Sequence, residues 1–453
     1  MSGIVAIVGR PNVGKSTLFN RLTKSRRALV DDLPGVTRDR LYGEVTTGDR
    51  TFTLVDTGGF DPPADQDFAE QVHEQIEVAM AEADLILFIT DARAGLNPLD
   101  FEVARRLRRT NKPVIQAVNK VDGPSQEDDA AEFYALAQDI HFISSAHGHG
   151  VAGLLEDIAA RLPAVDAAAE DPEDYQGPIK VALLGRPNVG KSSLLNRLVG
   201  DQRVVVSEVP GTTRDVVDTP LSTGGRDYLL IDTAGIRRHG KIGRGLEKAS
   251  VFRSLRACQR AHVVIVLMDA SEGVTDGDLR AVGQAVQAHR GVMVLLNKWD
   301  LVKDDSYQVR QVRLAAERSL RFAPWAPVHQ TSLVTGQGVK KVLPTVRRIY
   351  DQYSRRISTG DLNQALEEIT AHHPPPMVRG KRLKLYYASQ VSTRPPTVVI
   401  FANNPKAVHF SYRRYLTNEL RRVLGVDCAP VRLVLRQRSG RKASRGPRRG
   451  RRS

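Results

Sequence analysis

Gly9-Arg10-Pro11-Asn12-Val13-Gly14-Lys15-Ser16 follows the apolar run Ile4–Val8 and precedes a helical pattern. This is the GxxxxGK[ST] arrangement of a phosphate loop. Its backbone N–H groups and the following helix N-terminus surround phosphate oxygens. Lys15 reaches the β- and γ-phosphates, and Ser16 offers its hydroxyl to Mg²⁺. The same octet returns 176 residues later as Gly185-Arg186-Pro187-Asn188-Val189-Gly190-Lys191-Ser192, again after a strand-like run. Candidate nucleotide ligands are therefore Gly9, Asn12, Gly14, Lys15, Ser16 and Thr17, and in the second copy Gly185, Asn188, Gly190, Lys191, Ser192 and Ser193.

The loop is one part of a longer duplication. Pro34-Gly35-Val36-Thr37-Arg38-Asp39 recurs as Pro210-Gly211-Thr212-Thr213-Arg214-Asp215, and Asp56-Thr57-Gly58-Gly59 as Asp232-Thr233-Ala234-Gly235. Asn119-Lys120-Val121-Asp122 recurs as Asn297-Lys298-Trp299-Asp300. A period this long is a duplicated domain rather than a solenoid unit. In the first copy Ile4–Val8, Phe52–Val55, Leu85–Thr90 and Val114–Val118 read as strands of a parallel sheet buried on both faces. The expected fold is α/β: two tandem doubly wound P-loop domains followed by a small α+β domain. The boundaries expected are 1–163, an acidic linker 164–178, 179–350, 351–438, and a basic tail 439–453.

The other motifs name the ligand. An acceptor-only carboxylate after a strand, Asp122 or Asp300, takes both guanine N1–H and the exocyclic N2–H₂, whereas adenine offers no such pair of donors. Asn119, Lys120, Asn297 and Lys298 complete each motif. Thr37 and Thr213 sit in loops whose Pro, Gly and Asp content favours turns. A threonine there joins the Mg²⁺ shell only when a γ-phosphate is present, which makes an order–disorder switch. Lys15, Thr37, Lys191 and Thr213 are thus the catalytic candidates. Asp56 and Asp232 suit the Mg²⁺ shell, and Gly59 and Gly235 offer N–H groups to the γ-phosphate. The expected Mg²⁺ set is Ser16, Thr37, Asp56, Ser192, Thr213 and Asp232.

Composition narrows the class. Hydrophobic residues are 41% and charged residues 26% of the 453-residue chain, ordinary for a globular protein. No apolar stretch is long enough to span a bilayer, and the N-terminus reads as domain rather than signal peptide. Cys258 and Cys428 exclude a disulfide scaffold and fit a cytoplasmic protein. The net charge of +15 is localised: residues 350–453 hold 22 Lys+Arg against 6 Asp+Glu, and the remainder is nearly neutral. A polyanion should meet the protein there. In that quarter the order α-β-β-α-β is expected, with Arg414, Arg421 and Arg422 turned away from the apolar face of helix 411–424. His141, His147 and His149 cluster without ligand spacing and are not taken as a metal site. Trp299 is read as packing.

This ordered, doubled motif set over residues 1–438 resembles the bacterial Der (EngA) family, whose members carry tandem GTPase domains and a KH-like domain. The resemblance implies a GTPase acting in assembly of the large ribosomal subunit, with rRNA as partner. It implies Ser145-Ala146 and Ser332-Leu333 as the last guanine-contacting loops. Ras-like GTPases place a glutamine after the DTxG segment to orient water; here Phe60 and Ile236 stand there. Related GTPases with that substitution use a monovalent cation, which implies K⁺ held by Asn12 and Asn188, residues that a turn beside proline also explains. The glycines from 360 to 440, Gly360, Gly380, Gly425 and Gly440, are never three apart, so the GXXG clamp of RNA-binding KH modules is unsupported. Two other readings stay open: a membrane-surface GTPase, and a nucleotide-gated RNA-binding scaffold with negligible turnover. A monomer without stable membrane association is expected.

Overall fold

The first domain builds its sheet around the run that precedes the phosphate loop. The chain passes through β1 (Ile4–Val8), α1 (Lys15–Thr23), β2 (Tyr42–Thr47), β3 (Arg50–Asp56), α2 (Phe68–Glu82), β4 (Leu85–Asp91), α3 (Pro98–Leu107), β5 (Val114–Asn119), β6 (Ile140–Ile143) and α4 (Val151–Arg161). The strand order is β2-β3-β1-β4-β5-β6. All neighbours are parallel except β2, which pairs antiparallel with β3 at the edge. The four expected strands are present, each within two residues of its expected ends. Ile4–Val8 and Leu85–Asp91 are buried along their whole length, as strands covered by helices on both faces must be.

The second domain repeats the plan with β7 (Ile179–Leu184), α5 (Lys191–Gly200), β8 (Thr219–Thr223), β9 (Arg226–Ile231), α6 (Leu246–Arg260), β10 (Val263–Asp269), α7 (Asp276–Gln287), β11 (Gly291–Asn297), α8 (Ser306–Ser319), β12 (Val328–Gln330) and α9 (Val342–Tyr353). Its order is β12-β11-β10-β7-β9-β8, with β8 the antiparallel edge. The computed structural model describes residues 3–23, 42–48, 50–59, 68–128, 130–162, 177–200, 218–233, 246–378 and 381–437. Thr37, Phe60, Thr213, Gly235 and Ile236 lie outside the described residues, as do most of the expected linker and the tail from 438.

Residues Met1–Arg347 form one unit and Arg348–Ser453 a second. Within the first unit, the two GTPase domains meet through equivalent helices. Phe252 and Leu255 of α6 are buried in the first domain's core with Ile76, Ala79 and Ala83. Around them Arg256 donates to Asp84 at 3.1 Å, Arg253 lies 3.6 Å from Glu82, and Gln259 donates to Thr53 at 3.3 Å. Burying two large apolar side chains contributes on the order of 1.5–3 kcal/mol each.

The second unit has α10 (Thr359–His372), a short hairpin of β13 (Met377–Val378) and β14 (Lys381–Arg382), then β15 (Leu385–Ser392), β16 (Thr397–Ala402), α11 (Phe410–Val423) and β17 (Arg432–Gln437). The sheet order is β15-β16-β17, with β17 parallel to β16. Leu362, Leu366 and Ile369 of α10 share a core with Leu416 and Leu420 of α11 and with Ala388, Val398 and Ile400 of the sheet. The expected α-β-β-α-β order holds, with the hairpin added. One basic residue is placed differently. Arg421 is buried and donates to the carbonyls of Ala429 at 3.2 Å and Asp427 at 3.3 Å, and burial pushes its guanidinium down to about 10. It ties off the helix end instead of facing a phosphate. Arg422 is exposed but pairs with Glu419 at 2.6 Å.

Candidate functional site: two guanine-nucleotide pockets

The phosphate loop needs two glycines for a geometric reason. Gly9 has φ 152°, and a Cβ there would lie 2.3 Å from the carbonyl oxygen of Ile89. Gly14 has φ 97°, and its Cβ would lie 2.3 Å from Asn119 Nδ2. Asn12 and Asn188 sit between the glycines at φ 65° and 63°, exposed in the left-handed region that asparagine tolerates. The parallel register then gathers the remaining motifs at one sheet end. Ile7 is opposite Asp56, and Asp91 is opposite Asn119, so the loop, the DTxG aspartate and the NKxD asparagine meet at the carboxyl ends of the strands.

Lys15 is buried beneath the loop and donates to the carbonyls of Gly9 and Arg10, both at 2.7 Å. Lys191 repeats this with Gly185 at 2.7 Å and Arg186 at 2.6 Å. Burial pushes each ammonium down to about 8; at Lys15 the nearby Asp56 carboxylate opposes the shift. Ser16 donates its hydroxyl to Asp56 Oδ2 at 2.7 Å, joining two hard oxygen donors at the site expected for Mg²⁺. In the second copy Asp232 adopts φ 58°, and its N–H donates to Asp218 at 3.1 Å. Burial raises the Asp232 carboxyl, and Glu82 of the first domain adds to the rise.

Asn119 is a brace. Its Nδ2 donates to the Val13 carbonyl at 2.7 Å, and its Oδ1 accepts from the Ser145 N–H at 2.9 Å. Asn297 does the same between Val189 (2.8 Å) and Leu333 (3.2 Å). Lys120 and Lys298 take φ 71° and 58° and reach back to Asp91 and Asp269, each at 2.5 Å. Non-glycine residues in this region are strained, and such strain clusters at functional sites.

The last loop corrects one expected pairing. Ser144 N donates to the His149 carbonyl, and Ser332 N to the Gln337 carbonyl; Gly148 N returns to Ser144 O as Gly336 N does to Ser332 O. Ser144-Ser145 therefore corresponds to Ser332-Leu333, one residue before the Ser145-Ala146 pair expected from the letters. The Leu333 N–H takes the place of the Ser145 N–H on the asparagine brace, so its larger side chain leaves that contact intact. The side chain itself packs toward the loop, and Gly190 leaves room for it.

Four further pairs involve arginines to which the motifs assign no role. Arg21 holds the last loop by donating to Ser145 O at 2.5 Å and to Ala146 O; Arg197 does so to Leu333 O at 2.8 Å and Val334 O at 2.7 Å. Arg10 donates to the fully buried Asp100 at 2.8 Å, and Arg186 to the fully buried Asp278 at 3.2 Å. Each of these aspartates also closes a helix capping box, accepting from Asn97 N or Thr275 N. The phosphate loop is thereby anchored to the start of α3 or α7. The arginine and aspartate of each anchor recur in both copies, a signal available in the repeat. Ser144 and Arg93 both contact Asp122, and there the copies differ. Among the histidines, His141 pairs with Asp157 at 2.8 Å and His149 with Glu127 at 2.9 Å. They have separate carboxylate partners, and no metal-holding group of three exists among the described residues. Trp299 is buried in the second domain's core.

Sequence comparison with known proteins supplies the family. A family model described as 50S ribosome-binding GTPase matches residues 4–120 and 180–298, and one for the C-terminal KH-like domain of EngA bacterial GTPases matches 356–436. The chain is 50% identical over 437 residues to GTPase Der of Syntrophobacter fumaroxidans, covering 96% of this chain and 98% of that protein. It is 49% identical to GTPase Der of Syntrophotalea carbinolica, covering 97% and 99%. Among solved structures, Aquifex aeolicus Era bound to GDP and AlF₄⁻ is 22% identical, with a TM-score of 0.29, over 69% of this chain and 99% of that one. Two GTPase domains with guanine-nucleotide motifs, a KH-like domain and this identity along nearly the full chain place the protein in the GTPase Der family, as a GTP-hydrolysing enzyme.

Proposed function

We propose that this GTPase is a switch in the assembly of the large ribosomal subunit, docking on rRNA through its C-terminal unit. The observation that carries this reading is the joining of two complete sets of guanine-nucleotide motifs to a C-terminal quarter with a net charge of +16. The description of the matching family as 50S ribosome-binding GTPases supports it. Phosphate contacts position a protein on RNA without reading bases, which suits a KH-like domain that lacks GXXG.

In the pocket, Lys15 and Lys191 stabilise charge on the transferring phosphoryl group, and loop N–H groups hold the leaving diphosphate in place. Ser16 and Asp56, with Thr37, are proposed to hold Mg²⁺, and Ser192, Asp232 and Thr213 its counterpart; the ion neutralises phosphate charge when bound. The Ser16–Asp56 contact fits such an oxygen-rich site. Asn12 and Asn188 are proposed K⁺ ligands, because Phe60 and Ile236 cannot hydrogen-bond to an attacking water. The protein is proposed to work in the cytoplasm as a monomer. No helix among the described residues is long and apolar enough to cross a membrane. Co-sedimentation with ribosomal subunits tests the switch: pelleting with the large subunit should differ between GDP and a non-hydrolysable GTP analogue. Equal pelleting rejects it.

A further inference from the structure

The two guanine-reading carboxylates stand in different surroundings. In the first pocket both oxygens of Asp122 are engaged. Oδ1 accepts from Ser144 Oγ at 2.7 Å, and Oδ2 accepts from Arg93 Nη2 at 2.6 Å. Arg93 lies two residues beyond Asp91 at the end of β4, its side chain 66% exposed, and its head is held by Asp122. In the second pocket the residue two beyond Asp269 is Ser271, which turns back to Asp269 at 2.6 Å. The serine equivalent to Ser144 is Ser332; each Oγ accepts a loop N–H at 3.1 Å, from His147 or Thr335, and Ser144 in addition donates to its aspartate. Asp300 Oδ1 is buried and finds no hydrogen-bond partner among the described residues.

We infer that Arg93 is an affinity-setting residue of the first pocket: it competes with guanine for Asp122, while the described residues of the second pocket place no such competitor on Asp300. The inference rests on the reading of Asp122 and Asp300 as guanine acceptors. Two effects give it its sign. The guanidinium occupies a lone-pair direction on Oδ2 that N1–H or N2–H₂ needs, since a carboxylate has about four acceptor sites and Ser144 already fills one. Its positive charge also draws electron density from the carboxylate and weakens it as an acceptor for neutral donors. The first pocket is therefore the weaker guanine site of the two, and its occupancy is sensitive to ionic strength.

The full-length chain tests this by calorimetric titration with GDP. In an Asp300→Asn background the second pocket should prefer xanthine, and GDP then reports the first. Arg93→Ser should tighten first-pocket GDP binding by about two- to fivefold, the range of one exposed ion pair. Arg93→Lys, which keeps the charge, should return affinity most of the way to that of the unsubstituted pocket. Raising KCl from about 50 to 300 mM should narrow the gap between chains with and without Arg93→Ser, because screening weakens the competitor. In an Asp122→Asn background, Ser271→Arg should loosen GDP at the second pocket by a similar factor. Looser binding with Arg93→Ser, or no change at either salt, overturns the inference and leaves the acceptor reading intact. Two GDP sites persisting in the Asp300→Asn chain would overturn the acceptor reading and the inference together.

Discussion

Arg256 of the second GTPase domain donates to Asp84 of the first at 3.1 Å, on the rim of an interface whose centre is Phe252. The helices that meet there, α2 and α6, each follow the DTxG segment of their own domain. The ion pair is partly exposed and is worth about 0–1 kcal/mol. The fully buried Phe252 carries more, so Phe252→Ala should cost about 3–5 kcal/mol. Calorimetry should show one cooperative transition for the two domains turning into two, or falling steeply in midpoint, whereas Arg256→Ala should be nearly silent. A Phe252→Ala chain as stable as the unsubstituted one would show that the domains do not support each other.

The motif residues were legible in the sequence because their chemistry needs a fixed residue type at a fixed spacing. Gly9, Gly14 and Lys15 have no substitutes in a phosphate loop, and the strands before them are continuous apolar runs. The partners of the arginine anchors were not legible, although the residues recur in both copies, because they act across long separations: Arg21 meets Ser145 and Arg10 meets Asp100 from distant parts of the chain. Edge strand β2 buries only Val45 fully, which leaves little apolar pattern to read. The Ser-Ala letters at Ser145-Ala146 were misleading by one residue, since the loop's register is set by backbone hydrogen bonds from Ser144. Arg421 lay on the polar side of a helical pattern, yet its guanidinium folds over the helix end to reach Ala429.

The buried lysines tie nucleotide binding to pH. Lys15 and Lys191 sit near 8 in the nucleotide-free protein, down from 10.5. Above pH 8 they are largely neutral until phosphate arrives, and phosphate favours the charged form. GDP binding should therefore take up protons between about pH 8 and 10 and weaken as pH rises through that window. The same shift stabilises the free protein with rising pH there, because the unfolded chain binds more protons. Titration calorimetry in buffers of different ionisation enthalpy measures the uptake. Zero uptake at about pH 8.5 would mean the lysines stay charged in the free pocket.

Hydrolysis should be faster in KCl than in NaCl at matched ionic strength. Phe60 and Ile236 remove the usual water-orienting side chain, and the cation proposed at Asn12 and Asn188 would supply positive charge where the transition state needs it. Asn12→Ala should erase the difference at the first site while GDP binding persists. Equal turnover in the two salts would remove K⁺ from the mechanism.

The proposed hold on RNA and its control by nucleotide should be separable. Residues 438–453 carry eight Lys+Arg and no acidic residue. Each phosphate they neutralise releases a counterion, so binding weakens with salt, by a slope of roughly 0.7–0.9 per contact on logarithmic axes. Removing 438–453 should lower affinity for the large subunit and flatten that slope. The folded part contributes less than its sequence suggests, because Arg421 is buried and Arg422 is paired with Glu419. The nucleotide control proposed here rests on Thr37 and Thr213 as γ-phosphate sensors, and it should survive the truncation. By linkage, subunit binding must alter GTP affinity by the same factor as GTP alters subunit binding. The measurement is subunit binding across a salt series for the full and truncated chains, in GDP and in a GTP analogue. A truncated chain with an unchanged salt slope would move the RNA contact to the folded domains, and loss of the nucleotide effect on truncation would make the tail part of the switch.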